Sequence, residues 1–254
     1  MAFKPYLFAI IGLFGLTYGF ALILQWLLDR AKIRLGAAFG IRGALVFGFL
    51  GLWIHELSHA GLALLFRHKI TDMKLMELHP SGQEITLGHV THTYNKRSPY
   101  QAMGNFFIGL GPIIGCSGVI LIALWVLLPA TFTDLINLVV SLTQQFDVNA
   151  LGIAISGLVQ SMPINIHLFI FLLILVETAF GFGLSRADLS GSLLGLPYIV
   201  LLVVLLSVAD YFWNFHWLAF LIQLDVLLGI MLSLVLLISI CYSLLIYLIT
   251  APFV

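Results

Sequence analysis

Charge is what this sequence has least of. Only 9% of its 254 residues are Asp, Glu, Lys or Arg, and the two signs balance to a formal net charge of zero. Without a basic run or a basic excess there is no electrostatic footprint for nucleic acid. Cysteine is almost as scarce. Cys116 and Cys241 each lie in an apolar run, which argues against a disulfide framework. The first apolar run is not expected to be a cleavable leader: from Tyr6 to Leu28 it is too long for a signal-peptide core. Asp29-Arg30-Ala31-Lys32-Ile33-Arg34 follows it where small residues would mark a cleavage site, so it is expected to remain as a first membrane span. No internal repeat is evident. What the chain does have is apolar mass, with 61% hydrophobic residues and a mean hydropathy of +1.12. That composition belongs to an integral membrane protein.

Six apolar runs approach the roughly 20 residues that a bilayer demands. They lie at 6–28, 43–66, 102–128, 164–182, 191–213 and 217–249. The expected fold is an all-α polytopic membrane protein, a single integral domain over 1–254. Residues 35–42, with Gly36, Gly40 and Arg42, either extend the second helix or lie at the interface. Gly15-Leu16-Thr17-Tyr18-Gly19 and Gly191-Ser192-Leu193-Leu194-Gly195 permit close helix approach. Between Arg67 and Tyr100 the chain turns polar. Strand-like patterns at 70–75 and 84–87 flank the turn signal His79-Pro80-Ser81-Gly82-Gln83, which predicts a small membrane-associated β-hairpin after the second span. His89 and His92 fall in this segment. In a strand, residues three apart point to opposite faces, so they read as polar strand residues and not as a second metal site. Gly109-Leu110-Gly111-Pro112-Ile113-Ile114-Gly115 predicts a kink or unwound turn inside the third span. Residues 129–162 hold no Lys or Arg and predict an amphipathic helix at the membrane surface. In a six-span arrangement Lys4, Arg67, Lys69, Lys74, Lys96, Arg97 and Arg186 share one side. The positive-inside rule then places both termini, the hairpin and the nearby site toward the cytoplasm.

The second span carries the chemistry. Within Trp53-Ile54-His55-Glu56-Leu57-Ser58-His59-Ala60 the spacing H-E-x-x-H puts His55 and His59 on one helical face, where they can grip one metal ion. Glu56 falls on the neighbouring sector, within reach of a water on that metal. Two imidazoles, a carboxylate and an open position suit hydrolytic zinc. Composition alone would give about 0.004 such matches in a chain of this length. Ionisable residues at membrane depth cost at least about 2.5–3.5 kcal/mol each, so three within five residues require compensation.

The chain resembles the site-2 protease family of intramembrane zinc metalloproteases. The resemblance rests on His55-Glu56-Leu57-Ser58-His59 in a membrane helix, the polar hairpin after it, the glycine-proline segment and a later acid, and it covers roughly 43–195. It implies that His55, His59 and a distant aspartate bind zinc and that Glu56 is the catalytic base. Asp188 is the candidate for the aspartate. Where the family has Leu-Asp-Gly, this chain has Ala187-Asp188-Leu189-Ser190-Gly191. Glu177, Asp210, Asp225 and Asp147 are the competing acids.

The expected function is therefore a zinc endopeptidase. It would hydrolyse peptide bonds in or near the membrane segment of a single-span protein embedded in the same lipid bilayer. The alternatives are a membrane metal transporter using His55, Glu56 and His59, or a non-catalytic relative that binds membrane proteins. Against the transporter, Ala60-Gly61-Leu62-Ala63 follows the motif where a further acid or histidine would be needed.

Overall fold

The structure is a computed structural model that describes residues 4–46, 48–76, 88–144 and 162–253, together with 152, 156, 157, 159 and 160. An apolar chain in lipid must satisfy its backbone internally, and helices do so. α1 (Lys4–Val46) is followed by α2 (Phe49–Leu65) and by two strands, β1 (Lys69–Lys74) and β2 (His89–Thr93). The chain then forms α3 (Pro99–Gly109), α4 (Gly111–Leu127), α5 (Pro129–Gln144), α6 (Ile166–Ala179), a 3-10 turn (Phe180–Phe182), α7 (Arg186–Trp213) and α8 (Trp217–Thr250). A buried cluster joins seven of these helices through residues such as Leu24, Phe106, Ile113, Leu135, Phe171, Ile199 and Leu232. Large apolar side chains also face outward along the long helices, among them Leu64, Leu201, Phe212 and Leu248. Such surface suits lipid and not water.

The all-α architecture with a small hairpin agrees with expectation; the count of six spans does not. Among the described residues three helices are long and apolar enough to cross a membrane: Lys4–Gly40, Arg186–Trp213 and Trp217–Thr250. A fourth arises if α3 and α4, bent by 61°, form one broken span. That bend falls on the glycine-proline segment, where a kink was expected. The runs at 43–66 and 164–182 yield helices too short to qualify. The 17 residues of α2 extend only about 25 Å at 1.5 Å per residue, less than the roughly 30 Å of hydrocarbon. Residues 35–42 extend α1 and not α2, with a break at Gly40 whose φ of 69° suits glycine.

α1 and α8 lie side by side and parallel. Tyr6 donates a 2.8 Å hydrogen bond to Asp210 just before α8. Further along, a Cβ at Gly12 would lie 2.6 Å from Asp225 Oδ2. At the far end Arg34 Nε donates to Thr250 Oγ1 at 2.8 Å, and the Phe39 and Phe253 rings are 5.5 Å apart. Both helices are long and apolar enough to cross a membrane, and two parallel crossing helices would put their starts on one face and their ends on the other. That arrangement does not agree with the expectation that both termini share one side.

β1 and β2 pair antiparallel, from Lys69 opposite Thr93 to Lys74 opposite His89, with an irregularity between Ile70 and Asp72. The partner of β1 is thus 89–93. The predicted strand 84–87 and the turn 79–83 lie outside the described residues, as does Asp147. α5 is the amphipathic helix expected, over its first part. Thr131, Leu135, Leu138, Val139 and Leu142 form its buried stripe, which packs against α4 and α8.

Candidate metal centre

The apolar helix α2 brings His55 and His59 one turn apart, and the neighbouring backbone fixes which nitrogen of each ring carries the proton. His55 Nδ1 lies 2.8 Å from the Gly181 carbonyl, and His59 Nδ1 lies 2.7 Å from the Ile108 carbonyl. A carbonyl only accepts, so both Nδ1 atoms donate, and in the neutral rings both Nε2 atoms present lone pairs. Those two Nε2 atoms face each other at 3.2 Å. Close helix approach makes this possible: a Cβ at Gly51 would lie 2.4 Å from the Glu177 carbonyl oxygen and 2.6 Å from Gly181 N, so only glycine lets the 3-10 turn reach α2.

Asp188 completes the group. Its Oδ1 lies 3.2 Å from His59 Nε2 and its Oδ2 3.6 Å from His55 Nε2. The N-terminus of α7 holds it there through a capping box: Ser185 N donates to Asp188 Oδ2 at 2.7 Å, and Asp188 N donates to Ser185 Oγ at 3.1 Å. Electron-rich atoms of three residues converging so closely repel one another unless a proton or a cation sits among them. Ligands about 2.0–2.1 Å from a tetrahedral zinc ion would be about 3.3 Å apart, close to the separation of the two Nε2 atoms and to the distance from each ring to its nearer carboxylate oxygen. His55, His59 and Asp188 therefore form a group that could hold a metal ion. The outer hydrogen bonds from both imidazoles to carbonyls are what metal-ligating histidines require.

The three competing acids among the described residues lie elsewhere. Asp210 caps α8, accepting from the backbone N–H groups of Trp217 and Leu218 and from Tyr6. Asp225 packs against Gly12, and Glu177 faces the backbone N–H of Leu50. No ion pair joins Asp188 to Arg186.

Glu56 is 4% exposed and shares a cavity of about 340 Å³ with His55, His59 and Asp188. Gly88 to Thr91 reach that cavity from the hairpin. One contribution was not foreseen: Asp29 and Lys32 reach it from α1. Lys32 Nζ lies 5.0 Å from the centre of the Phe180 ring. The only signal for Lys32 was a cation just beyond a span, which reads as a topology marker.

The hairpin histidines go to opposite faces, as strand geometry requires. His89 Nε2 is 2.9 Å from Asp72 Oδ2 and holds that exposed carboxyl below its ordinary range. His92 turns the other way and meets His68, with their Nδ1 atoms 2.9 Å apart. Neither joins the metal group. Comparison of the chain with protein-family models, with curated proteins and with solved structures returns no match.

Proposed function

We propose that this protein is an intramembrane zinc metalloprotease that hydrolyses peptide bonds in or near the transmembrane segment of a single-span membrane protein. The observation that carries the reading is the convergence of the two Nε2 atoms and the Asp188 carboxylate beside the buried Glu56 side chain. A zinc ion held by His55, His59 and Asp188 would supply Lewis acidity to the reaction. The chain's own residues do the rest. The Nδ1–H bonds to Gly181 and Ile108 keep both imidazoles aimed at one point. Glu56 takes one proton from the attacking water and returns it to the amide nitrogen as the C–N bond breaks. The burial of Glu56 keeps bulk solvent from competing for that proton.

A transmembrane helix conceals its scissile carbonyl in a hydrogen bond, so a substrate must be unwound locally. Among the described residues each strand of the two-stranded sheet has an unpaired edge, and Gly88 to Thr91 line the cavity. An extended substrate segment can pair there and recover the backbone bonds that unwinding gives up. Of six expected spans we retain the three or four that length supports. We place the site toward the cytoplasm, because Arg30, Lys32, Arg34 and Arg186 all lie close in sequence to residues that line the cavity.

The test is Glu56→Gln in the purified protein, incubated with a library of single-span proteins. An amide cannot accept the proton, so zinc content should match wild type while cleavage is lost. Cleavage near the wild-type rate by this variant, or none by wild type that carries zinc, defeats the reading.

A further inference from the structure

The three basic residues after the first apolar run diverge. Arg30 and Arg34 share a helical face at i and i+4, whereas Lys32 is turned away from both. Lys32 lines the cavity of the metal centre. Arg30 and Arg34 line a separate surface groove of about 470 Å³ between α1 and α8, whose walls are apolar side chains such as Leu27, Ile33, Ile240 and Leu244.

Both guanidiniums are held on aromatic faces. Arg30 Cζ lies 4.3 Å from the centre of the Trp26 ring, and Arg34 Cζ lies 3.9 Å from that of Tyr247. Arg34 Nε also donates to Thr250 Oγ1 at 2.8 Å. Stacking occupies the face of a guanidinium and leaves donors in its plane. Yet the ion pairs found within 4.0 Å among the described residues all involve histidine, so neither arginine meets a carboxylate of those residues.

Depth explains what such a pair is for. The run from Tyr6 to Leu28 carries no charge and at 1.5 Å per residue extends about 35 Å, close to the hydrocarbon thickness. Arg30 and Arg34 thus emerge at the level of the lipid headgroups. Because α8 runs parallel to α1, Ile240 and Leu244 lie on the membrane side of Tyr247, and the groove leads from the arginines into the acyl layer.

We propose that this groove binds an anionic phospholipid, with its phosphate between Arg30 and Arg34 and an acyl chain along the apolar walls. Two guanidiniums at headgroup depth that meet no carboxylate among the described residues match a phosphodiester and disfavour a headgroup that adds a cation. The site is independent of the proteolytic reading.

The experiment is native mass spectrometry of the full chain, delipidated in detergent and titrated with phosphatidylglycerol, phosphatidylcholine or glycerol 3-phosphate. One phosphatidylglycerol should be retained per chain at concentrations at least about tenfold below those needed for phosphatidylcholine. The double variant Arg30→Gln, Arg34→Gln should lose that preference while keeping its metal content. Leu244→Trp keeps both arginines but fills the groove, and should lose the retained lipid. Equal retention of the two lipids, or a preference that survives either variant, overturns the proposal. So does binding of glycerol 3-phosphate as tight as that of the lipid, which would make this a site for phosphate alone.

Discussion

The proton positions on two imidazoles decide what the centre can be. Had either Nδ1 lacked its carbonyl, that ring could have turned its N–H inward, and the 3.2 Å Nε2–Nε2 contact would be an ordinary hydrogen bond. With both Nδ1 atoms committed, the inward face holds only acceptors, and we expect about one zinc per chain by elemental analysis. His55→Ala or His59→Ala should remove it. Asp188→Asn keeps the shape of the side chain but not its charge, and should weaken zinc binding at least about tenfold, whereas Asp210→Asn and Asp225→Asn should spare it. Zinc bound normally by Asp188→Asn and lost in Glu177→Gln would move the third ligand to Glu177. His55, Glu56 and His59 were legible because helical spacing alone places them. Asp188 was legible through the segment around it. The Gly181 and Ile108 carbonyls were not, since any residue offers a carbonyl and only the fold decides which one arrives. Lys32 was hidden by its company: beside Arg30 and Arg34 it reads as one of a cluster, and only the helical turn sends it to the other face.

At the scale of elements, two short pieces hold the centre in place. The capping box ties Asp188 to the start of α7. Ser185→Ala should cost about 1 kcal/mol at that helix end and also loosen the carboxylate, lowering zinc affinity in a chelator competition. Ser190→Ala, which removes only a bond to the Ala187 carbonyl, serves as the control and should change nothing. The hairpin is fixed differently. His68 Nε2 must donate to the Gln101 carbonyl at 2.8 Å, so its Nδ1 accepts from His92 Nδ1–H, while the Tyr94 ring stacks on His68. Burial pushes both histidines below their ordinary pKa, and for His92 the neighbouring His68 adds to the effect. The unfolded hairpin therefore binds more protons than the folded one. Its stability is fully present above about pH 6.5 and declines as pH falls through the lowered folded values. Hydrogen exchange of the β2 amides, corrected for intrinsic rate, should speed up between pH 7 and pH 5. His92→Gln should flatten that dependence, and a flat profile in wild type would remove the assignment. None of this was legible in the sequence. His68 and His92 are 24 residues apart, and strand alternation says only that His89 and His92 diverge, not what each meets.

At the scale of the whole molecule, hydropathy measures how much apolar chain there is but not which way it runs. Six apolar runs were counted correctly as runs. Two of them fold into helices of about 25 and 21 Å at 1.5 Å per residue, because the glycines and the 3-10 turn around the candidate metal centre interrupt what would otherwise be longer rods. An even count also implies that the first and last helices are antiparallel, and the contacts say otherwise. Tyr6 meets the segment that starts α8, and Arg34 meets its last residue. A parallel pair of crossing helices requires an odd number of crossings in total. Of the three or four that length allows among the described residues, three would satisfy that condition, with α3 and α4 as a re-entrant pair bent at Leu110 and not a full span. The termini then lie on opposite sides of the membrane. In a background with Cys116 and Cys241 replaced by Ala, Lys4→Cys and Pro252→Cys should be labelled by a membrane-impermeant maleimide from opposite faces of sealed, oriented vesicles. Labelling of both from one face would mean that α1 or α8 fails to cross. The parallel packing would then be wrong, and with it the level at which Arg30 and Arg34 meet the headgroups.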